Sequence, residues 1–260
     1  MKLDDYQSRF ESWAKLDRDE AGVLRVTLHT DGSTLEWHLS PAHWEIAELF
    51  HCITLDEGTR AVLITHNGDT FINFPQMTRD EANAKAKHSA ASWDATSRVA
   101  VDMIKNELDI PVPMVAALNG PASYHAEIAL LCDAVIAPPH AFFADKAHYP
   151  LGSVPGDGVA LVWNALLGPN RSRYFLMTGQ EIHAEDALAL GIISEIQEPD
   201  RILTRAYELA HNFATQTPSV QRYTRFVLTQ PLRRAVAENL TYTLALQGMG
   251  TWARPANTVD

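Results

Sequence analysis

The sequence predicts one α/β domain with a trailing helical region, and three features predict it. Strands and helices alternate through the first half of the 260-residue chain, after which helices dominate. Met114 to Leu118 is a continuous apolar run, the pattern of a strand covered on both faces. A chain of this length buries a substantial core, and no sequence repeat, low-complexity stretch or long linker divides it. No G-x-G-x-x-G follows the first strand and no G-x-x-x-x-G-K-[ST] occurs anywhere, so neither dinucleotide fold nor P-loop is supported.

Each element follows from local pattern. The first twenty residues mix charges with Phe10, Trp13 and Leu16, a lead-in packed on the surface. Gly22 to His29 alternates Val and Leu with polar residues, as a half-buried strand does. Asp31-Gly32 is a turn pair after which Thr34 to Trp37 can return as a second strand. Ser40-Pro41 opens a helix with Ser as N-cap, and Ile46, Leu49, Phe50 and Ile53 give it a buried stripe. Ala61 to Thr65 is a short strand, followed by a loop around Gly68 to Met77. A polar helix is expected over Arg79 to Glu107, with Val99, Met103 and Ile104 inward, until Pro111 and Pro113 end it. Asn119-Gly120-Pro121 turns the chain into a short helix over Ala126 to Leu131, then strands at Ala134–Ala137 and Ala141–Ala144. The helical remainder is divided at Gly168-Pro169, Gly179, Gly191 and Pro218.

Composition narrows the function classes. The net charge of −11 disfavours non-specific attraction to nucleic acid or to an anionic membrane surface, and gives no reason to expect a highly charged ligand. No apolar run approaches the length of a membrane span, and the acidic, polar N-terminus MKLDDYQSRFESW is unlike a secretory signal. Cys52 and Cys132 read as two buried thiols of a reduced, cytoplasmic compartment.

The residues that could carry chemistry lie between Pro113 and Trp163. His125 follows a buried-type strand and a Gly-Pro turn, where loops commonly carry active sites; a plain N-cap histidine is the other reading. His148 and Asp157 are nine residues apart across Pro150, Gly152, Pro155, Gly156 and Gly158. Such a loop has a tightly specified path and can hold an acid beside an imidazole, fixing its tautomer. Asp157 could instead cap a helix starting near Gly158. G-x-S-x-G is absent, so water would be activated directly. His125, His148 and Asp157 could also form a two-His, one-carboxylate site, but H-x-H and H-E-x-x-H are absent and no metal or cofactor is expected.

The stretches NGPASYHAEIALLCDAVIA, Gly179-Gln180-Glu181 and AEDALALG resemble the crotonase (enoyl-CoA hydratase/isomerase) superfamily, roughly from Gly22 onward. That resemblance implies a ClpP-like spiral of ββα units over residues 1–200. It also implies a C-terminal helical region over 201–260 that builds a homotrimer or a hexamer of paired trimers. Two departures stand out. Ser123-Tyr124-His125-Ala126 replaces the family's glycine-rich run, and Asp69 to Pro75 replaces A-F-x-A-G-x-D, the loop that helps receive an acyl-CoA thioester. Both departures, with HYPLGSVPGDG and NRSRYFLMTGQE, are similar to the 6-oxocamphor hydrolase-like β-diketone hydrolases, a branch that uses no CoA. The resemblance implies a small neutral, cyclic 1,3-diketone as substrate and retro-Claisen cleavage to a keto acid. It makes His148 the base for water, Asp157 its orienting acid and His125 the group at the substrate carbonyl or enolate. Trp37 would donate its indole N–H to the second carbonyl, with Phe74, Tyr124 and Tyr149 as apolar surroundings. Gln247 stands where that branch has a glutamate, and an amide there can hydrogen-bond but cannot act as a base. The other readings are acyl-CoA hydratase, isomerase or hydrolase chemistry, and a non-catalytic binding protein in which His125, His148 and Asp157 do not converge.

Overall fold

Four times in succession the chain makes a buried strand, a short second strand or bridge, and then a helix. The computed structural model describes residues 1–74 and 90–253. The first unit is β2 (Val23–Leu28), β3 (Leu35–Glu36) and α1 (Leu39–Leu55). The second is β4 (Ala61–His66), β5 (Ile72–Asn73) and α2 (Ala90–Asp109). The third is β6 (Met114–Ala117), a bridge at Ala122 and α3 (Ala126–Leu130). The fourth is β7 (Ala134–Ala137), β8 (Phe142–Phe143) and α4 (Val159–Thr178). This is the expected spiral of ββα units, repeated in structure with no repeat in sequence. The expected helix start at Arg79 and the loop end at Met77 lie outside the described residues.

The first strands build a six-stranded sheet in the order β1-β2-β4-β6-β7-β10, where β1 is Ala14–Arg18 and β10 is Glu195–Ile196. All neighbours are parallel except β1 with β2. Period-two alternation sorts the side chains between the faces. Leu63, Val115, Ala117 and Ile136 meet Ile202, Ala206 and Ala210 of α6 (Pro199–Ala214) on one face. Val62, Ile64, Met114, Ala116 and Val135 face the larger core with α1 and α2. Covering on both faces is why β4, β6 and β7 are buried at every position. β9 (Ile182–His183), α5 (Ala184–Ala189) and α7 (Pro218–Trp252) complete the described strands and α-helices.

Two expectations change. Asp31-Gly32 does turn the chain, at φ 49° and 79°, but β3 does not return onto β2. Both edges of β2 are taken by β1 and β4, so β3 pairs in parallel with β5, Leu35 opposite Ile72. The lead-in is two 3-10 turns and a strand rather than a surface segment: Phe10 and Trp13 are buried, and Ala14 and Leu16 point inward between exposed Lys15 and Asp17. Gly168-Pro169 divides α4 as expected: Gly168 is non-helical (φ 70°, ψ 162°), so α4 is two helical segments joined at a kink. Cys52 and Cys132 are free and buried, and among the described residues no helix is long and apolar enough to cross a membrane.

One buried side chain ties the sheet to the turn that delivers His125. At the end of β4, His66 donates Nδ1–H to Asn67 O at 3.1 Å and accepts the Asn119 N–H on Nε2 at 2.9 Å. Accepting on Nε2 requires the neutral ring, and burial lowers its pKa from the ordinary 6.5 to about 4. Between those values the unfolded chain binds a proton that the folded chain refuses, so stability falls as pH drops through that window. The loss is on the order of 3 kcal/mol. Urea midpoints at pH 7 and pH 4.5 should therefore diverge in the wild type and less so in His66→Gln. Equal divergence in both would remove His66 as the cause.

Candidate active site

The side chains that could do chemistry follow the second strand or bridge of each unit. Trp37 comes directly after β3 and Phe74 after β5; Tyr124 and His125 come after the Ala122 bridge, and Asp145 and His148 after β8. These short segments form a row of their own: Trp37 N–H donates to Asn73 O at 2.7 Å, Phe71 N–H to Pro121 O at 2.9 Å and Lys146 N–H to Ser123 O at 3.0 Å. Residues far apart in sequence are thus brought together at the ends of adjacent segments.

His148 is buried between two acids. Its Nε2–H donates to Asp157 Oδ2 at 3.0 Å, the pair expected from sequence, and its Nδ1–H donates to Asp145 Oδ1 at 2.9 Å, which was not expected. Burial disfavours the charged ring, but the Asp157 charge, the hydrogen bonds to both acids and the Asp145 charge outweigh it. The pKa stands well above 6.5. Burial would likewise raise Asp157, yet the charge and hydrogen bond of His148, with His125 and His43 behind them, hold it below its ordinary value. Asp157 does not cap the following helix: the N-cap of α4 is Gly158, at φ 106°. A Cβ there would meet Ile104 at 2.9 Å, so glycine is required twice over. At Gly156 a Cβ would run into the Thr243 carbonyl of α7 and approach Gln247 Oε1 to 2.9 Å. The glycines let α7 press the loop into the path that delivers Asp157.

His125 is the N-cap of α3 in the left-handed region (φ 47°, ψ 38°), but its ring makes no cap bond. Its Nδ1–H donates to buried Glu127 at 2.6 Å, which leaves Nε2 as the ring's other polar atom. Trp37 stacks on the ring, centroids 3.8 Å apart and planes 27° from parallel, and His43 of α1 meets it edge-on at 5.3 Å. Trp37 is fully buried, and its indole N–H has no partner among the described residues. Phe74 lies 4.9 Å from Tyr124 and 6.2 Å from His125, centroid to centroid.

His43, His125 and Asp157 bring one donor atom each within 4.8 Å of one another. Convergence of His125, Asp157 and His148 is the arrangement that a non-catalytic protein would not need. His43 takes the place that the sequence gave to His148 in a two-His, one-carboxylate trio. A tetrahedral ion holds its ligands roughly 3.4 Å apart, so these groups would have to draw together, and His148 already donates to the same carboxylate. The set is better suited to proton handling. Gln247 is buried with Oε1 unpartnered, beside the Asp157 loop. Tyr149 is half exposed in the turn Tyr149–Leu151, so it is not enclosed with the others. A surface cavity of about 320 Å³ bounded by Trp13, Leu35, His38 and Ile46 is lined by none of these titratable groups. His43, Glu127 and Asp145 were invisible to sequence patterning; Asp145 alone left a trace, an acid three residues before His148.

The enoyl-CoA hydratase/isomerase family model matches residues 19–250. The chain belongs to that family. A solved β-diketone hydrolase from the cyanobacterium Anabaena sp. PCC 7120, bound to (S)-3-oxocyclohexyl acetic acid, superposes with a TM-score of 0.88. It is 35% identical, over 95% of this chain and 96% of that one. A carnitinyl-CoA dehydratase of Citrobacter koseri is 29% identical over 67% of this chain and 65% of its own length. The fatty acid oxidation complex subunit alpha of Idiomarina loihiensis is 26% identical over 75% of this chain, which spans only 27% of that protein. The chain is thus similar both to proteins named for CoA substrates and to one named for a β-diketone.

Proposed function

We propose that this protein hydrolyses a carbon–carbon bond of a small neutral 1,3-diketone, cyclic in the favoured case, to a keto acid. The observation that carries the reading is the buried set of Trp37, His125, His148 and Asp157, in which one indole N–H and one carboxylate oxygen lack partners. An unpartnered buried donor costs about 1–3 kcal/mol, which a substrate carbonyl would recover. Likeness to the Anabaena β-diketone hydrolase supports the same reading.

In the reaction, water activated by the His148–Asp157 pair adds to one carbonyl and gives a tetrahedral alkoxide. Its collapse breaks the bond to the central carbon because the second carbonyl can hold the electron pair as an enolate. Trp37 and His125 stabilise that charge and protonation completes the keto acid. Phe74 and Tyr124 wall the site with apolar surface, and Gln247 orients the substrate by hydrogen bonding rather than as a base. Part of the 201–260 region would serve assembly: exposed Tyr223, Val227, Leu228 and Tyr242 along α7 would be covered in a homotrimer or hexamer. Light scattering of the purified protein checks this.

The deciding experiment is a panel of cyclic and linear 1,3-diketones, followed by loss of enol absorbance, beside a panel of acyl-CoA thioesters. Cleavage of a diketone with formation of a keto acid is expected. Turnover of a thioester with no diketone cleaved would place the protein with its CoA-directed relatives instead.

A further inference from the structure

Both ring nitrogens of His148 are engaged by carboxylates, which leaves no lone pair for water on the imidazole itself. The acid on Nδ1 is as firmly built as the pair on Nε2. Asp145 and His148 side chains are each only 4% exposed. Asp145 Oδ1 also accepts the Ala147 N–H at 3.2 Å, closing a local turn that fixes the carboxylate. Its neighbours are tied to the strand that leads into His125, Ala144 N–H to Ala122 O at 3.1 Å and Lys146 N–H to Ser123 O at 3.0 Å. The segment that carries Asp145 is thus held in register with the segment that carries His125.

Resting on the diketone hydrolase reading above, we propose that Asp145 is a positioning residue: by holding His148 Nδ1 it pins Nε2 to Asp157 Oδ2 and makes Asp157 Oδ1 the atom that receives the proton of the attacking water. Two arguments converge on this. The first is geometric. Asp157 Oδ1 is buried without a partner, and Asp157 shares its cluster with His43 of α1 and His125 at the start of α3. Asp145 Oδ2 is also buried and unpartnered, but Asp145 is not in that cluster. The second is charge. An imidazolium paired with one carboxylate is neutral overall, and such a pair resists taking up a proton. Adding the second carboxylate gives the trio one net negative charge, which one proton from water cancels. The step balances: a water O–H bond breaks, its oxygen bonds to the carbonyl carbon and its proton goes to Asp157 Oδ1. When the carbon–carbon bond breaks, the electron pair moves onto the second carbonyl as an enolate, and the enolate carbon takes up the proton held at Asp157.

The trio works with His148 charged, so activity should fail at high pH as the ring loses its proton. Asp145→Asn keeps an acceptor for Nδ1–H but removes the charge. Its kcat should fall by about 10- to 100-fold with KM little changed, and the alkaline limb of its pH–rate profile should move to lower pH. Imidazole ¹⁵N NMR supplies a readout independent of any substrate. In the wild type both His148 nitrogens should stay protonated through neutral pH, and in Asp145→Asn the proton should leave earlier. Wild-type kcat and an unmoved alkaline limb in the variant would overturn the proposal. So would a singly protonated, neutral His148 in the wild type at pH 7, a result that needs no variant to fold. If no diketone is cleaved at all, the functional reading fails, while the NMR titration still decides whether Asp145 holds His148 as described.

Discussion

Asp157→Asn should fold like the wild type and lose about 10²- to 10⁴-fold in kcat, the contribution of acid–base catalysis at a positioned group. The amide is nearly the same size as the carboxylate, and the helix that follows is capped at Gly158, so no cap is lost. What disappears is charge and an acceptor. An amide turned to present its oxygen can still take the Nε2–H of His148, but its other edge then offers N–H to the site where an acceptor is needed. Turned the other way, it presents N–H to N–H. Either way the imidazolium keeps only Asp145 as its counter-charge. Activity on a diketone, measured beside a thermal melt, tests this; a folded variant of near-normal activity would remove the pair from the mechanism. The same pair shapes the pH dependence of stability. Asp157, held low, contributes stability above its ordinary pKa and loses it only as pH falls through the depressed value. His148, held high, contributes at pH below 6.5 and loses it as pH rises through the raised value. Between these limits both contributions are present together.

Much of the fold was legible because its signals are local. Met114 to Ala117, Ala134 to Ala137 and Phe142–Phe143 stand within the runs that apolar pattern marks out. Thr217 is the N-cap of α7, with Pro218 at the first position of the helix. What pattern could not supply was partnership. The pairing of β3 with β5 depends on which edges of β2 are already occupied, and β1 is too short and too charged for its alternation to stand out. The site divides in the same way. His148 and Asp157 lie on one Pro- and Gly-rich loop whose path is specified by its own residues, and they do meet. His43 comes from the first unit and His125 from the third, and only stacking successive units brings them to Asp157. Glu127 reads as an acid in the first turn of a helix, an ordinary place for one. Its bond to His125 arises because His125 takes a left-handed backbone conformation, which residue identity does not announce.

Trp37→Phe separates a catalytic from a structural role most sharply, because the two predict different results. The tryptophan is fully buried and stacked on His125, so by packing alone it is a core residue. Truncating it to Phe removes part of a large side chain, and the cavity left behind destabilises the protein. It also removes a buried N–H without a partner, and relief of that penalty, about 1–3 kcal/mol, offsets the cavity. Net stability should therefore change little, while the aromatic face against His125 is kept. Activity should not be spared. If the indole N–H donates to the carbonyl oxygen on which enolate charge develops, its removal costs about 10²- to 10³-fold in kcat, the loss typical of one such donor. A purely structural Trp37 would instead leave kcat per folded molecule unchanged, whatever the urea midpoint does. Natural folds seldom keep a buried donor unpaired without a use for it, and the measurement asks whether the missing partner is the substrate.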